Sequence, residues 1–73
     1  MKPEQVITKI RAGGHQVYVY FDCERRYVIA LARNANYCRE WAFVTYDRAL
    51  GVAEWLRTLS DYQRDVLILE IQQ

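Results

Sequence analysis

The chain has 73 residues, 52% of them hydrophobic and 26% charged, with ten Lys plus Arg against nine Asp plus Glu and a formal net charge of +1. That length holds one small core, so a single domain spanning 1–73 is expected, and the composition is that of a folded chain rather than a disordered tail. The balanced charge excludes the large positive excess of a general nucleic-acid binder and leaves only a local basic face for that role.

Ten aromatic residues, six Tyr, two Trp and two Phe, are too many for the centre of so small a core. No run of about 18 apolar residues exists for a membrane span, and Met1-Lys2-Pro3-Glu4-Gln5 does not lead into a signal peptide. A cytoplasmic protein with no membrane partner is therefore expected. Cys23 and Cys38 are too few for a disulfide framework and lack the spacing of a zinc or redox motif.

Turn signals cut the chain into short elements. In residues 3–12, Pro3 and Glu4 suit a helix start, Val6, Ile7 and Ile10 form one stripe, and Gly13-Gly14 suits a stop, so the spacing predicts a short helix. A strand through Val6, Thr8 and Ile10 is the competing reading. From His15 the period becomes two, with Val17, Val19 and Phe21 on one side and Gln16, Tyr18 and Tyr20 on the other. Asp22 to Arg25 reads as a turn, 26–33 as a central strand, Asn34-Ala35-Asn36 as a second turn and 37–44 as a third strand. Thr45 is a helix N-cap with Asp47 in the first turn, and Ala49, Val52, Ala53, Leu56 and Leu59 give residues 46–59 an apolar stripe with Trp55 at its edge. Ser60 and Gln63 form a capping box that starts a second helix over 61–72, although Val66-Leu67-Ile68-Leu69 would also suit a fourth strand. A helix there is apolar most of the way round and must be buried or paired. The predicted fold is α+β, a three-stranded antiparallel meander, or a four-stranded one, with helices packed on it in the order α-β-β-β-α-α.

Register decides which side chains share a face. With Cys23-Glu24 as a two-residue loop, Tyr20 faces Tyr27, Tyr18 faces Ile29 and Val19 faces Val28. A three-residue loop over Asn34 to Asn36 sets Ile29 opposite Trp41 and Tyr27 opposite Phe43. One face then holds Val17, Val19, Phe21, Val28, Ala30, Ala32, Ala42 and Val44, small enough for a helix to approach. The other collects Tyr18, Tyr20, Tyr27, Ile29, Leu31, Tyr37, Trp41 and Phe43 with Arg25, Arg33 and Arg39. Tyr, Trp and Arg dominate interface hot spots, so Tyr18, Tyr20, Arg25, Tyr27, Arg33, Tyr37, Arg39 and Trp41 are the expected partner-binding residues. A terminal helix covering this face as a second core layer is the structural alternative, and a two-residue loop at Ala35-Asn36 would move Arg39, Trp41 and Phe43 to the other face.

The same geometry argues against site chemistry. Cys23 and Cys38 lie at opposite ends of the sheet, about 25 Å apart at the usual rise per residue, and His15 is about 10 Å from Cys38 across the central strand. Neither a disulfide, a metal site nor a Cys-His nucleophile is supported. Glu40 and Glu54, with Arg39, Arg48 and Arg57 nearby, read as solvated ion pairs, and Gly13-Gly14 lacks the Lys-Ser/Thr of a phosphate loop. No enzyme and no cofactor is expected.

The stretch QVYVYFDCERRYVIALARNANYCREWAFVTYDRALGVAEWL resembles the strand-strand-strand-helix order of small phage-encoded anti-CRISPR proteins that inhibit type I systems. It shares a Val-Tyr strand, a meander, an Asp/Thr-started helix with Glu-Trp, and a short second helix. The resemblance implies a stoichiometric inhibitor that binds and blocks a host protein complex. A second pattern, Phe43-x-Thr45-x-x-x-Ala49-x-x-x-Ala53-Glu54-Trp55-Leu56, is similar to the strand-to-helix junction of phage integrase arm-type DNA-binding domains, which implies Arg25, Arg33, Arg39 and Tyr18 or Tyr20 facing DNA. The net charge of +1 leaves few phosphates to neutralise in that role. A homodimer pairing its aromatic faces is the third expectation.

Overall fold

The computed structural model describes residues 5–22 and 26–70. Four strands, β1 (Gln5–Ala12), β2 (His15–Phe21), β3 (Tyr27–Asn34) and β4 (Tyr37–Phe43), precede two helices, α1 (Tyr46–Arg57) and α2 (Asp61–Glu70). The strands form one antiparallel sheet in chain order, with both helices on one face of it. Neither helix is long and apolar enough to cross a membrane.

The first element is a strand where a helix over 3–12 was predicted; residues before Gln5 lie outside the described part. Val6, Ile7, Thr8 and Ile10 are all β-branched, and pairing with β2 adds hydrogen bonds that their weak helix propensity could not match. Gly13-Gly14 is accordingly a two-residue hairpin turn rather than a helix stop. Ala12 pairs with His15 around it, and Gly13 takes the left-handed φ of 61° that such a turn needs. The pairing skips Ile7 between Val6↔Tyr20 and Thr8↔Val19, a bulge near the outer end of the strand.

The β2–β3 register differs from the expected one by a single residue. Phe21, not Tyr20, pairs with Tyr27, and Val19 pairs with Ile29. Asp22 drives this shift. Its N–H donates to the Arg26 carbonyl at 3.0 Å, and its carboxylate accepts from the Arg26 backbone N–H at 2.9 Å and from the guanidinium at 3.0 and 2.9 Å. Asp22 and Arg26 thus close the connection around three residues, Cys23 to Arg25, which lie outside the described part.

The β3–β4 register is the expected one, Ile29↔Trp41 and Tyr27↔Phe43. It arises differently: the turn is Ala35-Asn36, and an irregularity at Arg33, between the paired Ala32 and Asn34, restores parity. Asn34 shapes that turn, its side-chain oxygen accepting from the N–H of Asn36 at 2.8 Å and of Tyr37 at 3.2 Å.

Since one residue of slip moves a whole strand's side chains to the other face, the single change after β2 carries both β3 and β4 over. Val17 and Val19 share the helix-covered face with Ile29 and Leu31, and all four are fully buried with Ala49, Ala53, Leu56 and Ile68. Ala49 and Ala53 let α1 lie close to the sheet. Tyr27, Trp41, Phe43 and Tyr46 pack around this centre, with the Tyr27 ring tilted against Phe21 and Tyr46 at centroid distances of 4.9 and 5.7 Å. Val28, Ala30, Ala32 and Ala42, expected beneath the helices, lie on the open face instead.

Both helices start as their caps dictate. Thr45 Oγ1 accepts from the Arg48 N–H at 3.3 Å, and the Ser60 and Gln63 capping box is reciprocal, with Ser60 N–H donating to Gln63 at 2.9 Å and Gln63 N–H to Ser60 Oγ at 3.1 Å. That cap resolves 61–70 as a helix against the strand reading.

Candidate interaction surfaces

The corrected register separates the expected partner-binding residues. Tyr18 and Tyr20 lie on the face opposite the helices, where Tyr18 is part-exposed and Tyr20 is buried, whereas Tyr27, Arg33, Tyr37, Arg39 and Trp41 belong to the side that carries the helices. Arg25 lies outside the described residues. Trp41 is packed on the core with the Arg39 guanidinium 4.7 Å above its ring, and Arg39 donates to the Leu67 carbonyl at 2.8 Å and to Glu70 at 3.2 Å. Arg33 donates to Asp65 at 2.6 Å and lines, with Asn34, Tyr37, Asp65 and Leu69, a hollow of about 340 Å³. Two of the three arginines expected to face a partner therefore hold α2 against the sheet. The Glu54–Arg57 pair forms on exposed α1 at 2.9 Å, as its spacing predicts.

A different aromatic surface stands open. Trp55 and Leu59 from the end of α1 and its turn face Tyr62, Gln63, Val66 and Leu67 of α2 across a groove of about 350 Å³. Trp55 is 51% exposed, Tyr62 77% and Val66 40%. The apolar character of 66–69 has a matching division: Ile68 is fully buried, Leu67 partly so, and Val66 and Leu69 remain at the surface. Exposed large apolar groups gathered in one place are informative in a way that a scattered Leu is not. The sequence signal for this groove was the i, i+4 pair Tyr62 and Val66, together with a Trp on the outer edge of α1.

A part-buried polar network on another face of the same stretch of α2 was not anticipated. His15, read as an ordinary strand-end residue, is 1% exposed, with Nδ1 3.2 Å from Asp61 and Nε2 2.9 Å from Asp65. Both ring nitrogens thus lie within hydrogen-bond distance of a carboxylate, which ties the start of β2 to α2. Asp61 also accepts from the Gly14 N–H at 3.0 Å and from Arg64 at 2.9 Å. The Gly14 N–H above all, with the Arg64 guanidinium and His15, lowers the Asp61 carboxyl from 3.8 to about 2. Arg64, 4% exposed, donates to the carbonyls of Leu56 at 2.7 Å and Leu59 at 2.6 Å, satisfying the open end of α1. The spacing of Asp61, Arg64, Asp65 and Ile68 along one face of α2 is the signal that could have located the network.

On the open face, Tyr20 lies across β3 and donates to Glu40 of β4 at 2.7 Å. Burial first, and then this hydrogen bond and the Glu40 charge, push its phenol well above the ordinary tyrosine range. Lys9 sits 5.7 Å from the centroid of the Tyr18 ring. Cys38 is exposed on this face, on the opposite side of the sheet from His15. No family model, curated protein or solved structure matches this chain.

Proposed function

We propose that this chain is a small non-enzymatic binding protein that blocks a host protein complex, docking it on the groove between α1 and α2. One observation carries the reading: Trp55, Tyr62 and Val66 surround a groove of about 350 Å³ with 51, 77 and 40% of their surface exposed. Trp and Tyr bury large areas with little loss of rotamer freedom, which makes them the commonest anchors of protein interfaces. A helix that the sequence says must be buried or paired leaves one flank uncovered here, and a partner would cover it. The resemblance to phage-encoded inhibitors of type I CRISPR systems supplies the class of partner. The chemistry agrees, since both nitrogens of His15 are committed to carboxylates inside the domain.

The DNA reading loses its main residues, because Arg33 and Arg39 are engaged by Asp65 and Glu70 rather than presented to a groove. The test is expression of the chain in cells carrying an active type I system, scored by phage plating. Trp55→Ala and Tyr62→Ala should each abolish protection of the phage while the purified variants keep the native circular dichroism and unfolding midpoint. Protection that survives both substitutions overturns the groove. Submicromolar, steeply salt-dependent binding to random duplex DNA overturns the class.

A further inference from the structure

The face of the sheet opposite the helices has an order of its own, buried at its Tyr20 and Val28 end and accessible along the rest. The register aligns Lys9, Tyr18, Ala30 and Glu40 in one row across the four strands. Beside it run Arg11, Gln16, Ala32 and Cys38 on one side and Tyr20, Val28 and Ala42 on the other. In each row β2 contributes the large side chain and β3 the small one. The middle row is cationic at the β1 end and anionic at the β4 end.

We infer that this face pairs with a second copy of itself, about a two-fold axis that lies between the two sheets, parallel to the strands and midway between β2 and β3. That operation lays the β4 of one copy over the β1 of the other and β3 over β2, so every row meets its own reverse. Lys9 then stands opposite Glu40 of the second copy, Tyr18 opposite Ala30 and Gln16 opposite Ala32, while Tyr20 and Val28 are already buried within each copy. Large meets small throughout, and opposite charges close both ends of the central row, the self-complementarity that a two-fold interface requires. Glu40 accepts from Tyr20 through Oε2, and a carboxylate has further acceptor sites for the facing ammonium. The twist of packed sheets, about 30° between mean strand directions, leaves the central row best aligned.

Size sets the strength. Four strands about 4.8 Å apart, with about five accessible residues at about 3.4 Å each, give a footprint of about 330 Å² per copy, or about 650 Å² in all. That is below the 1,200 Å² or so of a standard stable interface, so the dimer is weak and exchanges with monomer. This inference is independent of the helical groove, which lies on the opposite side of the sheet.

The measurement is solution mass by analytical ultracentrifugation from about 1 μM to about 1 mM, the span of affinities that so small an area supports. The expected result is a monomer that becomes a dimer with rising concentration. Lys9→Glu should weaken the dimer at least about tenfold, because it sets like charges face to face. Its only described contact is with the Tyr18 ring, so the fold is retained. The Lys9→Glu/Glu40→Lys double variant restores dimerisation to within about threefold of the parent, and equimolar Lys9→Glu and Glu40→Lys proteins form mixed dimers, as swapping both ends of the row demands. Ala30→Arg abolishes association. A monomer throughout the range, a dimer indifferent to Lys9→Glu, or a double variant no better than the single overturns the inference.

Discussion

Replacing His15 by Ala removes the side chain that joins the start of β2 to α2. Its contacts with both carboxylates are lost, and a hydrogen bond to a charged group is worth about 1.5–3 kcal/mol when both partners are in place. The loss is smaller than their sum, because Asp61 keeps the Gly14 N–H and Arg64, Asp65 keeps Arg33, and both carboxylates reach water. A destabilisation of about 3 kcal/mol is expected, between the cost of two surface pairs and that of one orphaned buried charge. A domain of this length holds only about 4–11 kcal/mol in total, so the change is a large share of it. Urea unfolding followed by Trp fluorescence should show the midpoint falling by about 3 M at a slope near 1 kcal/mol per molar. The His15→Ala/Asp65→Ala double variant should be less destabilised than the sum of the single variants, by about 1–2 kcal/mol. A His15→Ala stability within about 0.5 kcal/mol of the parent would refute the claim that this imidazole holds α2 in place.

Gly13→Ala should destabilise by more than about 1 kcal/mol, since the position needs a φ of 61° and the new Cβ would meet Arg64 Nη2 and Asp61 Oδ1 at 2.5 Å; equal unfolding midpoints would contradict it. Asp61 has its folded pKa lowered, so its stabilisation is fully present above its ordinary value of 3.8 and is lost as pH falls toward about 2. Unfolding midpoints measured between pH 5 and pH 2 should therefore decline in acid, and Asp61→Asn should flatten the decline. Tyr20 has its folded pKa raised, so its contribution is complete below the ordinary phenol value of 10.0 and disappears as pH rises through the folded value. Tyr20→Phe should remove the last phenolate to appear in an alkaline absorbance titration and cost about 1 kcal/mol through the lost bond to Glu40.

Local signals carried much of this fold. Thr45, the Ser60 and Gln63 capping box and the stripe from Ala49 to Leu56 mark both helices, because caps and periodicity act within a few residues of chain. Long-range choices were less legible. Residues 5–12 carry β-branched side chains that tolerate either state, and pairing with β2 decided for the strand. The faces turned on one residue in the connection after β2, where the Asp22 carboxylate engages both the backbone and the side chain of Arg26. Tyr27, Arg39 and Trp41 consequently moved from a presumed partner surface into packing around the core, while Tyr18 and Tyr20 kept the open side. The aromatic surplus thus serves two ends, part filling the core's rim and part, in Trp55 and Tyr62, standing at the helical groove.

With its helices all on one side, the sheet acts as a partition between two sets of evolutionary constraints. Period-two alternation sends neighbouring residues of β2 to opposite sides, so a change at Tyr18 alters the open face and leaves the contacts of Val17 and Val19 in place. The exposed groove residues Trp55, Tyr62 and Val66 lie on the helices, on the other side of the sheet from Tyr18. Substitutions at the exposed groove positions therefore leave the opposite face undisturbed, and substitutions on that face leave the groove in place. In a chain of 73 residues, two surfaces free to vary separately give substitutions on one a near-additive relation to substitutions on the other.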